Sequence, residues 1–441
     1  MERFFDDDFL LGTDAARRLY AEVRDLPIID YHCHLDQKMI ERDDGFDDIG
    51  SLWLAGDHYK WRAMRLCGVD ERLITGDASW KEKFIAYASI MDELIGNPLY
   101  YWAHLELRQI FGITEPLNAD SAERVYEQAS AELRKTSVRK LLKKFRVEYI
   151  ATADDPAGDL SHHGTFDGIT VAPTFRPDRC LALDEKFFAD IEKASGIKTD
   201  TLDGCLKALE NRLDYFRAHN CRISDHGFRS FPTAYADEKE AAELYSRRAS
   251  LSETERNKLF GFFLCFFTEQ YAKRGMLMQI HISVTRNINS RIFAEQGVDR
   301  GCDVFVNEEC ADRVIAYFDR TEGYRPETVL YSLNPNAIPM LATITGAYRR
   351  VKMGAAWWFN DTVEGILNNL SQISEYAVLG TNYGMLTDSR SFSSYSRFDL
   401  FRRLLCSFVG DLADKGACDF AGALKIVKNI CYYNIKNQLG I

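Results

Sequence analysis

Apolar positions along this chain alternate between helical and strand spacing in a way that sets out its elements. Ala15, Leu19 and Val23 recur at the helical interval and predict an amphipathic helix reaching Arg24. Pro27 opens a short apolar run over 27–34 that closes on Tyr31, His32, Cys33 and His34. From 36 to 145 the pattern is helical, rich in Leu, Trp, Tyr and alternating charges, without strand-like alternation. Beyond it come seven short apolar runs, over 147–153, 169–175, 222–226, 276–283, 328–333, 351–359 and 384–388. Polar or turn residues and then a helical stretch follow each. With 27–34 the count is eight, the number a (β/α)8 TIM-like barrel requires, and catalytic residues of that fold lie just past the strand ends. The expected organisation is an N-terminal helix and strand 1 over 1–35, a helical insertion over 36–145, and the remainder of the barrel over 146–441. No Gly/Ser-rich linker, internal repeat or low-complexity tract marks a second module.

Composition narrows the function classes. At 441 residues with 46% hydrophobic and 27% charged positions, the chain suits a soluble enzyme, either two domains or one barrel with insertions. A formal charge of -11 disfavours nucleic acid and anionic membrane, so an acidic substrate needs a local arginine cluster. The N-terminus lacks the basic and apolar regions of a secretory signal, and no apolar run approaches the ~20 residues of a membrane span. A cytoplasmic location is expected. The eleven cysteines have no CxxC spacing and read as reduced thiols. Walker A, GxGxxG and GxSxG patterns are missing, which argues against nucleotide hydrolysis, dinucleotide chemistry and serine hydrolysis.

Candidate chemistry gathers at the predicted strand ends. On a strand, His32 and His34 share a face while Cys33 points away, so the two imidazoles can chelate one divalent ion; a hydrogen-bonded structural pair is the plainer reading. Asp388 and Arg390 repeat that spacing on the last strand, beside the first if the barrel closes. Asp388 then completes a metal site or acts as a base, unless the two form a simple ion pair. His281 ends the fifth strand, across the mouth from the histidines, as ligand, substrate contact or core residue. His226 closes the fourth strand before Gly227 and is a weaker candidate. Arg176, between Pro173 and Pro177, and Arg390 are candidates for holding a carboxylate. Trp357 and Trp358 offer faces for a sugar ring or for ordinary packing. Tyr59 lies in the insertion, where a core role is the simpler reading.

Several strings together resemble a known family. His58–Arg62 reads HYKWR, 175–178 reads FRPD, 357–361 reads WWFND and 384–392 reads GMLTDSRSF; with the HCH triplet and SDHG at 224–227 they resemble uronate isomerases of the amidohydrolase superfamily over nearly the whole length. That resemblance implies a (β/α)8 barrel with a helical insertion after strand 1. It implies interconversion of D-glucuronate with D-fructuronate and of D-galacturonate with D-tagaturonate. It also implies His32, His34 and Asp388 as a zinc site with His281 near it, Arg176 and Arg390 as substrate contacts, and Tyr59 as an active-site phenol. Two-metal relatives place a bridging Lys after strand four, where this chain has Arg222-Ile223-Ser224-Asp225-His226, so one divalent metal is expected. The alternative is a mononuclear metal-dependent hydrolase of the same superfamily. A small sugar acid is the expected partner, in a homo-oligomer.

Overall fold

A computed structural model describes residues 4–307 and 310–441. Besides the short strand Gly164–Phe166, which is antiparallel to the third of them, seven parallel strands form its central sheet: β1 (Ile28–Cys33), β2 (Val147–Asp154), β3 (Ile169–Phe175), β4 (Ile223–Gly227), β5 (Leu277–Ile282), β6 (Thr328–Ser332) and β7 (Val351–Met353). They pair in chain order, β1 at one edge and β7 at the other. Their inward positions, among them Ile29, Tyr31, Tyr149, Ala151, Ile223 and Leu277, form a cluster of their own inside the curl. The outward ones, such as Met278 and Ile280, join a larger core with the helices. Tyr432, Ile435 and Leu439 near the C-terminus pack into the inner cluster.

The eighth position differs from the expected strand over 384–388. Residues 382–389 run between the two sheet edges without a regular ladder. They bond to β1 through Asp388 N–H to His32 O (3.0 Å) and His34 N–H to Ser389 O (2.9 Å), and to β7 through Asn382 Nδ2 to Met353 O (3.0 Å). The cause is local: Asp388 has φ 44°, in the left-handed region, which breaks strand geometry at the residue that faces the site. The run expected over 351–359 is likewise shorter as a strand, because Trp358–Asn360 turns as a 3-10 helix with Trp358 at φ 52°.

Seven α-helices between Gln37 and Lys144 make up the segment after β1, and their core residues Trp53, Phe84 and Trp102 are continuous with the core outside the barrel. Asp57 caps the helix His58–Leu66: its Oδ1 accepts from Tyr59 N–H (3.0 Å) and Lys60 N–H (3.2 Å). That cap fixes Tyr59 in the first turn, at the barrel mouth. The N-terminal helix Asp14–Val23 packs on Ser396–Asp414, where Gly410 lets the backbones meet; a Cβ there would fall 2.6 Å from Ala16 N.

One feature has no counterpart in the sequence pattern. After β5 an excursion over 283–307 carries a two-stranded antiparallel ribbon, Val284–Thr285 with Val304–Phe305, and a helix, Ser290–Gln296. It docks on the helical segment, with Arg62 Nη1 donating to Asp303 O (3.2 Å) and Gly301 lying against His58. Among the described residues, no helix is long and apolar enough to cross a membrane.

Candidate active site

The C-terminal ends of the strands open into a cavity of about 500 Å3. β1 delivers His32 and His34 to it by an irregularity. Its register against β2 shifts between Asp30 and Cys33, so the inward series Ile29, Tyr31 continues as His32, His34, while Cys33 turns out into the helical core. Both imidazoles converge on one oxygen: His32 Nε2 and His34 Nε2 each lie 3.1 Å from Asp388 Oδ1. Trp357 Nε1–H donates to the other oxygen, Asp388 Oδ2, at 2.7 Å.

Behind this group lies a second one. Asp225, fully buried on β4, accepts from His281 Nδ1–H at 2.7 Å, receives Arg176 Nη1 at 2.7 Å and lies 3.8 Å from His32 Nδ1. The described residues therefore contain two overlapping groups able to hold a cation, His32–His34–Asp388 and His32–Asp225–His281. The donor set of imidazole nitrogen and carboxylate oxygen fits a zinc-type ion, and His281 Nε2 is buried without a partner. A buried nitrogen lone pair of this kind is costly unless something pairs with it.

Electrostatics divide the roles. Burial alone would raise the Asp388 carboxyl, but hydrogen bonds and charge from His32 and His34 outweigh it and hold the group well below its usual range. Burial would raise Asp225 too, and Arg176, His32 and His281 overcome it in the same way. The Tyr59 phenol moves oppositely: burial, reinforced by Asp388, pushes it well above its usual value. His34 and His281 are lowered chiefly by burial, which favours the neutral imidazole that ligates metal. For His32 burial pulls down, yet the charges of Asp225 and Asp388 prevail and raise it.

A family model described as glucuronate isomerase matches residues 1–439. The chain belongs to that family. It is 40% identical to the uronate isomerase of Oceanobacillus iheyensis, across 98% of this chain and 97% of that one. Among solved structures, the uronate isomerase of Thermotoga maritima superposes with a TM-score of 0.97 at 35% identity, covering 99% of this chain and 100% of the other. The glucuronate isomerase of Caulobacter crescentus follows at 0.94 and 27%, with 99% and 97% covered. As a glucuronate isomerase family member the chain is an isomerase, and its barrel is the TIM-like fold of that family.

Most of the expected residues meet at the cavity. His32, His34, Tyr59, Arg176, His281, Trp357, Trp358, Asp388 and Arg390 all border the cavity. His226 does not. On β4 Asp225 faces inward, so His226 faces the helices, packed beside Phe267 and Tyr271 with neither nitrogen hydrogen bonded. Arg176 does border the cavity, but Asp178 (2.9 Å) and Asp225 (2.7 Å) already hold its guanidinium. Arg390 sits on the rim, paired with Asp299 of the excursion at 2.7 Å. Sequence pattern alone draws the eye to His226 and past its neighbour Asp225; strand alternation counted from Ile223, which faces inward, selects Asp225 instead.

Proposed function

We propose that this chain interconverts D-glucuronate with D-fructuronate, and D-galacturonate with D-tagaturonate, by moving a proton between C2 and C1 through a cis-enediol(ate). The observation that carries this reading is that Asp388 and Tyr59 border one cavity, the Asp388 carboxyl held well below its usual range by His32 and His34 and the Tyr59 phenol pushed well above its own by burial. An aldose–ketose isomerisation needs both: a base that takes the C2 proton and returns it at C1, and donors for the oxygens of the enediolate. Asp388, ionised at neutral pH, is the base. Tyr59, protonated at rest, donates to the developing oxyanion and passes a proton to O1 as O2 gives up its own, so that carbonyl and hydroxyl exchange places while the C2 proton moves to C1; Arg390 is a second donor. The indole of Trp357 holds Asp388 Oδ2, so the carboxylate meets the substrate in one orientation. Trp357 and Trp358 supply the faces on which the carbon chain lies.

We assign one divalent ion, zinc by its donor set, to His32, His34 and Asp388, with His281 adjacent. When bound, such an ion polarises a substrate oxygen. Asp225 orients His281, and Arg176 keeps Asp225 ionised.

The test is turnover of both uronates in deuterated water, with and without chelator. The wild-type chain is expected to form the ketose from each. Asp388→Asn should fold and lose roughly 10²–10⁴-fold in kcat. Near-normal turnover by that variant would remove Asp388 from the role; no ketose from wild type would remove the isomerase reading.

A further inference from the structure

Arg397 breaks two local rules. It is buried, only 1% exposed, and it is the second residue of the helix Ser396–Asp414, where the helix dipole disfavours a positive charge. Its polar partners are weak. Asp361, itself buried, stands 3.6 Å from Nη1, an ion pair without a hydrogen bond; Nη1 donates at 3.4 Å to Thr387 O, and Nε has no partner among the described residues. What surrounds the guanidinium is aromatic. Its carbon lies 3.6 Å from the ring centroid of Trp102 and 5.6 Å from that of Tyr59, and those two rings meet edge to face. Neither Arg397 nor Asp361 borders the cavity, so both stand behind Tyr59 rather than beside a substrate. Replacing such a buried pair with apolar residues is often neutral or stabilising, so folding alone gives no reason for the charge.

We propose that Arg397 is a positioning residue of the isomerisation, a cation held behind Tyr59 to stabilise negative charge on the phenol oxygen while that oxygen exchanges protons. This rests on the isomerase reading and adds to it the group that lets the phenol act. As Tyr59 gives its proton to O1, its O–H bond breaks and the electron pair stays on the phenol oxygen; the proton from O2 then restores it. Between those two transfers the ring carries negative charge among groups of the same sign. At rest, burial and the charge of Asp388 raise the phenol, Arg397 opposes them, and Asp361 and Asp57 add to the rise. The His58 ring stacked on Tyr59 supplies no fixed charge, since burial lowers it. Through Thr387 O, Arg397 is also tied to the residue before Asp388, so one side chain sets the phenol against the carboxylate.

Steady-state kinetics on D-glucuronate test this with Arg397→Met and Arg397→Lys, each made with Tyr59 and with Tyr59→Phe, and with Asp361→Asn. Arg397→Met should lower kcat ~10–100-fold, the effect of ~1–2 pKa units of lost stabilisation, with KM within a few-fold. Arg397→Lys keeps the charge and should recover most of that loss. Combined with Tyr59→Phe, Arg397→Met should cost little more, because the oxygen it serves is gone. Asp361→Asn breaks the same ion pair but leaves the cation, and should keep kcat within a few-fold. An equal loss from Arg397→Met with and without the phenol, or the same loss from Asp361→Asn, would mean that the pair only holds the fold, and would overturn the assignment. Should Arg397→Met not fold, Arg397→Gln, which keeps a donor for Thr387 O, takes its place. If wild type forms no ketose at all, the isomerase reading fails by itself. Fluorine NMR of difluorotyrosine, an acidified phenol, placed at position 59 then still decides: Arg397→Met should raise its titration midpoint by ~1–2 units, and an unmoved midpoint overturns the proposal.

Discussion

Asp225 shows how much of this site depends on a residue that never faces open solvent. It joins Arg176, His281 and His32, so it sets which nitrogen of His281 carries the proton and leaves Nε2 facing the site. Partners of this kind typically change metal affinity ~10–100-fold when removed. Asp225→Asn, which keeps an acceptor but no charge, is therefore expected to lose zinc to a competing chelator within that range while keeping the wild-type circular dichroism. Unaltered zinc retention would show that Asp225 serves only the fold. The sequence makes half of this visible. His32, His34, Asp388 and His281 are legible because chemistry-bearing side chains end apolar runs. Asp225 is hidden by the adjacent His226, the more conspicuous residue, although alternation sends that histidine into the helical core. Tyr59 is legible only through family resemblance, since nothing local reveals that the Asp57 cap aims it at a barrel mouth assembled from distant segments.

Elements differ in legibility for a related reason. The runs that form β2 to β6 are placed by pattern to within a residue or two, because each pairs on both sides and presents one row to the barrel interior and another to the helices. The last run keeps its position and loses its regularity, since Asp388 at positive φ turns its carboxylate toward the histidines at the expense of the ladder. The excursion over 283–307 is invisible: its two-residue strands pair across some twenty residues and have no periodicity to detect. Its docking is specific nonetheless. Gly301 has φ 77°, and a Cβ there would stand 2.5 Å from His58 O, next to Tyr59. Gly301→Ala is expected to cost at least ~1 kcal/mol in that contact, from the left-handed backbone and the clash together. The outcome to look for is faster proteolytic nicking within 283–307 and a raised KM, with little change in the thermal midpoint of the barrel. Cleavage at the wild-type rate would mean that the excursion does not depend on this approach.

For the molecule as a whole, opposing buried groups determine how stability responds to acid. His104 lies almost wholly buried between helices, its Nδ1 at 2.8 Å from Tyr100 O and its Nε2 accepting from Leu117 N–H at 3.0 Å, an arrangement that only the neutral ring can satisfy. Burial brings it down to about 4. Its unfolded value near 6.5 is higher, so the unfolded chain binds more protons between those limits, and stability from His104 is complete above pH 6.5 and lost as pH falls toward 4. Buried His226, also lowered to about 4 by burial, acts in the same direction. Asp30 and Asp361 oppose them: burial raises each to about 6, so the folded chain binds the extra proton and their contribution grows as pH falls from 6 toward 4. The four partly offset over that interval. A difference measurement separates them. His104→Gln keeps an acceptor and a donor but no titration, so it should be less stable than wild type at pH ~7.5. That deficit should narrow by about 3 kcal/mol by pH 4, the free energy of a shift from 6.5 to about 4. Guanidinium unfolding of the two chains at matched pH reads this directly, and a deficit constant across the range would place the acid sensitivity elsewhere than in His104.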